Sequence, residues 1–274
     1  MKATEPRTIE GEFYHVKVKP GEIPEYALIP GDPDRVLKIA RFLEEGRELS
    51  YHREFRVWVG KTSGIPLCAC STGIGSPSTA IAIEELARAG ARTFIRVGST
   101  GAIQPEIDVG DLVISVAAVR LEGTSKSYVI DGYPAYADYE VTLALIEAAE
   151  SLNLKYHVGV TATTDSFYLG QSRPGYGGYM WSYPEKLLED LQKMRVLNFD
   201  MESSTIFTLA TIYNLKAGSV CVVFANRVKD TFEVKGEEDA IKTAIEAVKI
   251  LEEWRELKEK KGKKYFYPSL LTKK

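Results

Sequence analysis

The sequence predicts an α/β protein, a central mixed, largely parallel sheet flanked by helices. Two observations carry this. Short apolar runs of strand length alternate with longer segments of helical period along the whole chain. Glycine-rich turns follow three of those runs, after Pro30, Ser71 and Val97, as at the carboxyl edge of parallel sheets where ligands sit. No linker, low-complexity tract or internal repeat divides the 274 residues, so one domain over residues 1–274 is expected.

Each element has its own signal. Tyr26–Pro30 reads as a buried strand ending in a turn. Asp32 then suits an N-cap and Pro33 the first helical position. Ile65–Ser71 is a second strand. Ser78–Ala89 repeats Ile81, Ala82, Leu86 and Ala89 at helical spacing, with Gly90 closing it. Thr93–Val97 and Asp111–Val119 are strands. The helix Glu140–Leu152 precedes the strand Tyr156–Thr161, and the helix Glu202–Tyr213 precedes the strand Gly218–Ala225. The last helix, about Glu237–Lys258, gathers Ile241, Ala244, Ile245, Val248, Leu251 and Trp254 on one face.

Composition excludes several classes. A formal net charge of -3 is no nucleic-acid footprint, and the run Lys260-Lys261-Gly262-Lys263-Lys264 reads as a solvated tail. Cys68, Cys70 and Cys221 lack zinc-like spacing and read as buried, inert thiols. No apolar stretch opens the chain and no run approaches spanning length, so a cytoplasmic protein with no membrane partner is expected. His15, His52 and His157 offer no metal-ligand pair, and His157 reads as structural. Gly-x-Ser-x-Gly, Walker and dinucleotide fingerprints are absent. No metal centre and no nucleophilic side chain is expected.

Four arginines in short polar or glycine-rich segments point instead to an anion. Arg35 closes Gly31-Asp32-Pro33-Asp34-Arg35, at the start of a helix. Arg53 lies in His52-Arg53-Glu54-Phe55, Arg96 opens Arg96-Val97-Gly98-Ser99-Thr100-Gly101, and Arg173 ends Gln171-Ser172-Arg173. A guanidinium is always charged and presents a fixed fork of donors, which suits a phosphate oxyanion beside open backbone amides. The Arg96 segment reads as a strand end followed by a glycine turn with two hydroxyls. Asp200-Met201-Glu202-Ser203 has two readings: complement to a helix dipole, or carboxylates accepting vicinal hydroxyls. In Phe167-Tyr168-Leu169-Gly170-Gln171-Ser172-Arg173, the amide can pair with a ring imide and the guanidinium can hold an oxygen that becomes negative.

Taken in order, these segments resemble the nucleoside phosphorylase-I family over nearly the whole chain. The carrying segments are Ile29–Val36, His52–Phe55, Ser71–Gly75, Arg96–Pro105, Phe167–Arg173 and Met201–Ser203. The resemblance implies phosphorolysis, uridine plus phosphate giving uracil plus ribose 1-phosphate, with phosphate as co-substrate. It implies a phosphate site from Gly31, Arg35, Arg96 and Ser99, with Arg53 entering from a neighbouring subunit. It implies ribose contacts from Met201 and Glu202, and from the neighbour's copy of His15. Phe167 would pack on the nucleoside, Gln171 and Arg173 would read the base, and Arg227 would stand behind them. A monovalent cation such as K+ near Glu54, Ile74 and Ser78, and a hexamer built from dimers, are implied as well.

Three positions depart from the family pattern. Ser99 stands where threonine is expected and Asp200 where glutamate is expected, and Pro174–Pro184, rich in tyrosine, reads as a flap. Purine-cleaving members carry a Ser-Asp pair where this chain reads Phe224-Ala225-Asn226-Arg227, so the acid for a purine base is missing. The rival readings are a purine-preferring phosphorylase, a hydrolytic nucleosidase and a non-catalytic nucleoside binder.

Overall fold

A computed structural model of the chain describes residues 3–272. In order come β1 (Tyr26–Ile29), α1 (Pro33–Ala40), β2 (Glu44–His52), β3 (Phe55–Thr62), β4 (Ile65–Cys70), α2 (Ser76–Ala89), β5 (Thr93–Ala102) and β6 (Leu112–Leu121). Then follow β7 (Ala135–Tyr136), α3 (Tyr139–Ser151), β8 (Tyr156–Thr164), α4 (Ser182–Lys193), β9 (Asn198–Asp200), α5 (Ser203–Ile212), β10 (Lys216–Asn226), β11 (Thr231–Phe232), α6 (Glu237–Lys261) and α7 (Ser269–Thr272).

The strands form one mixed sheet in the order β11-β10-β6-β8-β9-β5-β1-β4-β3-β2, with β7 beside β6. β10 also pairs in parallel with β5, so β5, β10, β6, β8 and β9 close into a ring. From β5 the strands β1, β4, β3 and β2 spread as an open wing. β1 lies parallel to both of its neighbours, and β2, β3 and β4 form an antiparallel meander.

Strand sequence explains the layering. Tyr26 and Leu28 pack with residues of α1, α3 and α6, whereas Ala27 and Ile29 pack with residues of α2 and α5. Leu67 and Ala69 divide from Cys68 and Cys70 in the same way. Successive side chains leave opposite faces of a strand, so a continuous apolar run is what a strand covered on both faces requires. The cysteines are free and fully buried, and burial pushes the Cys68 thiol up to about 12. They are inert packing residues.

The helix ends follow their sequence signals. Asp32 caps α1 by accepting the N–H of Asp34 at 2.9 Å, with Pro33 in the first position. Gly90 ends α2 at φ 139°, where an added Cβ would stand 2.1 Å from the carbonyl oxygen of Ile23. No larger residue fits. α6 carries the predicted apolar face, and Trp254 stacks on Phe266 at 3.8 Å, fastening the C-terminal segment.

Besides the short strands β7, β9 and β11 and the helices α4 and α7, two further features were not foreseen. The segment Glu44–Thr62 is a hairpin, β2 and β3. In addition, no turn follows Val97: β5 runs on to Ala102, held by β10 along its whole length. Gly98 serves close approach within the strand, since an added Cβ would meet the Cys221 sulfur at 2.6 Å and the Arg96 guanidinium at 2.8 Å.

Candidate active site

The site lies where two ladders on one edge of β5 fail to meet. β1 pairs with β5 up to Arg96, and β9 takes over at Gly101. The stretch from Val97 to Thr100 therefore has no ladder partner on that side. Beyond Ile29 the chain bonds on the β4 side alone, where the Pro30 carbonyl accepts the Thr72 N–H at 2.9 Å. The chain then turns through Gly31 into α1, and Gly31 abuts the Gly73 turn, whose carbonyl oxygen lies 3.1 Å from an added Cβ.

Arg35, buried at 5% exposure, reaches into this opening from α1. Its Nη1 donates to the Val97 carbonyl at 3.0 Å and its Nε to Glu237 at 2.6 Å. Arg96 is equally buried. Its Nε donates to Asp200 at 3.0 Å, and its Nη2 is ion-paired with Glu202 at 2.5 Å. Each guanidinium thus has donors held by protein, while Nη2 of Arg35 and Nη1 of Arg96 carry no partner among the described residues. Fixed, desolvated donors with spare capacity are what an oxyanion site needs. Ser99 is half-buried in the unpaired stretch of β5.

The two carboxylates have different parts, which the sequence left open. The Asp200 side chain has no solvent exposure. It accepts from Thr163 Oγ1 at 2.7 Å, from Ser203 N at 3.0 Å, from Ser203 Oγ at 2.5 Å and from Arg96. Four protein donors occupy it, which favours the structural one of the two readings left open by the sequence: it aims Arg96 and holds the start of α5. Glu202 accepts the N–H of Gly75 at 2.7 Å and pairs with Arg96. Burial, together with the nearby Asp200, pushes its carboxyl above the ordinary range, and Arg96 works against that. Met201, half-buried, offers its carbonyl to Ser76 Oγ at 2.9 Å, which joins the starts of α2 and α5.

The residues expected to read the base gather on one turn. Ser172 takes a left-handed conformation at φ 56° and turns Arg173 back over the loop. The Arg173 guanidinium lies 3.9 Å from the centre of the Phe167 ring. Its Nη1 donates to Gln171 Oε1 at 2.6 Å and to the Phe167 carbonyl at 2.8 Å. Because arginine only donates, the Gln171 amide is oriented with its oxygen to Arg173 and its NH2 free to donate. Arg227 donates to the carbonyls of Gln171 at 2.6 Å and Ser172 at 3.2 Å. Burial, and secondarily the charge of Arg227, pulls Arg173 down to about 10. Two crowded, desolvated cations are relieved by an anion. The proposed flap is shorter than expected, because Ser182–Pro184 is the first turn of α4.

His15 and Arg53 do not join the arginine cleft within one chain. His15 Nδ1 lies 2.7 Å from Glu85 Oε1, and its ring borders a cavity of about 270 Å3 whose lining includes none of Arg35, Arg96 and Ser99. Arg53 is exposed at the tip of the β2–β3 hairpin at φ 56°, and it has no partner among the described residues. His52 donates from Nδ1 to the His15 carbonyl at 3.0 Å, so both residues sit on one fastened unit. Glu54, Ile74 and Ser78 are neighbours: Glu54 flanks Gly73, and Ser78 Oγ lies 3.4 Å from the Ile74 carbonyl. Among the described residues no group of three or more His, Cys, Asp and Glu could hold a metal ion.

Glu237 is the contributor that sequence reading missed. It stands 202 residues from Arg35, and its only signal was an acidic run at a helix start.

A mixed sheet covered on both faces by helices, with two buried arginines ion-paired to carboxylates, defines a class. Residues 25–253 match the phosphorylase superfamily, and the chain belongs to it. It is similar to a uridine phosphorylase of Thermococcus kodakarensis, 60% identical over 270 residues, 98% of each chain. A uridine phosphorylase of Escherichia coli is 47% identical over 228 residues, 83% of this chain and 89% of that one. A guanosine phosphorylase of Halorubrum lacusprofundi is 38% identical over 214 residues, 78% of this chain and 83% of that one.

Proposed function

We propose that this enzyme cleaves uridine with phosphate, giving uracil and ribose 1-phosphate. The C1′–N1 bond breaks, the bonding pair leaves with the base, and a phosphate oxygen forms the new bond at C1′. The bound phosphate is the nucleophile, and the arginines align it. The observation that carries the base assignment is the pair Arg173 and Arg227 around Gln171. Their charge favours an anionic uracil leaving group, and Gln171 can address an imide edge.

Asn226 supports the same choice. Its amide nitrogen donates to the carbonyls of Gln104 at 2.9 Å and Ile107 at 2.6 Å, and its oxygen accepts from Val228 N and Lys229 N. It is spent on a turn and offers no proton to a purine. The likeness to a guanosine phosphorylase makes purine cleavage the rival to measure. Uridine, inosine and guanosine are assayed with and without phosphate. Phosphate-dependent uracil release with the highest kcat/KM for uridine is expected, and faster purine release would overturn the base assignment.

The remaining assignments belong to the same proposal. Phosphate is held by Gly31, Arg35, Arg96 and Ser99, with Arg53 of a neighbouring subunit. Ribose is held by Met201 and Glu202, with His15 of that neighbour. Phe167 packs on the nucleoside. The unpartnered, exposed Arg53 supports a shared site, and we place the enzyme as a trimer of dimers, which analytical ultracentrifugation tests. Three oxygen donors at Glu54, Ile74 and Ser78 suit a hard monovalent cation such as K+. The whole chain acts as one domain, and the free, buried cysteines accord with a reducing cytoplasm.

A further inference from the structure

Glu237 is the first residue of α6, and its carboxylate touches the phosphate machinery. Oε1 accepts Arg35 Nε at 2.6 Å, and Oε2 accepts Lys38 Nζ. The other held nitrogen of Arg35 donates to the Val97 carbonyl at 3.0 Å. A guanidinium is planar, so fixing Nε and Nη1 fixes the direction of Nη2 as well. Gly236, at φ 75°, lodges the start of α6 against the Gly110 carbonyl and Val222. The position of Glu237 is therefore set by packing on β10, where Val222 is the ladder partner of Ser99.

We propose that Glu237 is a positioning residue for phosphate, holding Arg35 so that its remaining donor is set for a phosphate oxygen. This rests on the reading of Arg35 as a phosphate ligand. A carboxylate near an anion site would ordinarily repel the anion. Here Lys38 shares it, so Arg35, Lys38 and Glu237 together keep one net positive charge. Burial works against the Glu237 charge, but hydrogen bonds from Lys38 and Arg35 outweigh it and keep the carboxyl below its usual range. Glu237 is thus ionised at neutral pH, and both arginines of the chain's own cleft are gripped at Nε by a carboxylate: Arg35 by Glu237, Arg96 by Asp200.

A mere tie between α1 and α6 would use the same contacts, and kinetics separates the two. Glu237→Ala, Glu237→Gln, Arg35→Ala and the double variant Glu237→Ala/Arg35→Ala are compared as full chains. Glu237→Ala is expected to raise the KM for phosphate about tenfold while the KM for uridine moves less than about twofold. Glu237→Gln, which keeps an acceptor for Nε, should fall between wild type and Glu237→Ala. Adding Glu237→Ala to Arg35→Ala should change phosphate KM no further.

Parallel rises in both KM values, an unchanged phosphate KM, or full additivity in the double variant would overturn the proposal. Should Glu237→Ala fail to fold, the selective rise in phosphate KM is read from Glu237→Gln alone. If Arg35→Ala itself leaves phosphate KM unchanged, the phosphate site is misread and this inference falls with it. An effect of Arg35→Ala without one of Glu237→Ala removes Glu237 only.

Discussion

At the scale of single residues, the site is a set of buried charges that hold each other in place. Arg96 is the hub, with Asp200 and Glu202 on two of its nitrogens. Arg96→Ala removes a donor and strands two buried carboxylates. A loss in kcat/KM of about a hundredfold or more is expected, with a stability loss of about 3–5 kcal/mol. Steady-state kinetics and urea unfolding check the two separately, and a stable, fully active variant would remove Arg96 from the site. Glu202 predicts a pH effect. Its carboxyl is raised by burial, so on acidification it takes up a proton at a higher pH than an ordinary glutamate near 4.5. On the proposed reading, ribose needs the ionised form as acceptor. The acid limb of kcat/KM for uridine should therefore lie above the usual carboxylate range. The stability term has the opposite sense: a raised carboxyl favours the folded state most below its ordinary value, and that contribution is lost as pH rises through the folded value. An acid limb at or below 4.5 would show that Glu202 is not the group titrating.

At the scale of elements, apolar strands were legible and polar ones were not. β1 and β4 announce themselves because both faces are covered. β2 is largely exposed and is interrupted by two register shifts, so it offers no apolar run. β3 did carry a signal, the alternation of Phe55, Val57 and Val59, which its antiparallel pairing uses. β9 is three residues long, too short for any period to register. Motif residues were legible as a list, and their partners across the chain were not, because ion pairs such as Arg96 with Asp200 have no local spacing. The C-terminal segment gives a prediction at this scale. Glu140, at the start of α3, accepts from Lys216, Lys258 and the Phe266 N–H. Burial opposes its charge, but these hydrogen bonds lower the carboxyl to about 2. A lowered carboxyl stabilises above its unfolded value of 4.5 and loses that contribution as pH falls through about 2. Glu140→Gln should cost on the order of 2 kcal/mol at neutral pH. The gap to wild type should narrow as the pH of the melt is lowered from 4.5 towards 2. A gap of constant size would show that charge is not what Glu140 supplies.

At the scale of the whole molecule, two residues proposed for the site stand apart from the arginine cleft. Arg53 and His15 sit on one fastened unit, away from the pairing of Arg35 and Arg96 with their carboxylates. If that unit completes a neighbour's cleft, inactive Arg53→Ala and inactive Arg96→Ala subunits should regain part of their activity when mixed. Some mixed sites then carry both arginines intact. No recovery after demonstrated subunit exchange would place Arg53 in its own chain's site.

The length of β1 has a consequence for how far this protein can be stabilised. Its ladder stops at Ile29, and β9 resumes the pairing of β5 only at Gly101. Lengthening β1 until the two strands met would give Val97 to Thr100 the ladder hydrogen bonds they lack on that side. That would pave over the stretch proposed as the berth of the co-substrate. The turn at Pro30 and Gly31 acts as a stop sign against this extension. An engineered chain with Pro30 replaced and β1 prolonged should be the sturdier protein and the dead enzyme. Its melting temperature would rise as turnover vanished, the reverse of what most damaging substitutions do.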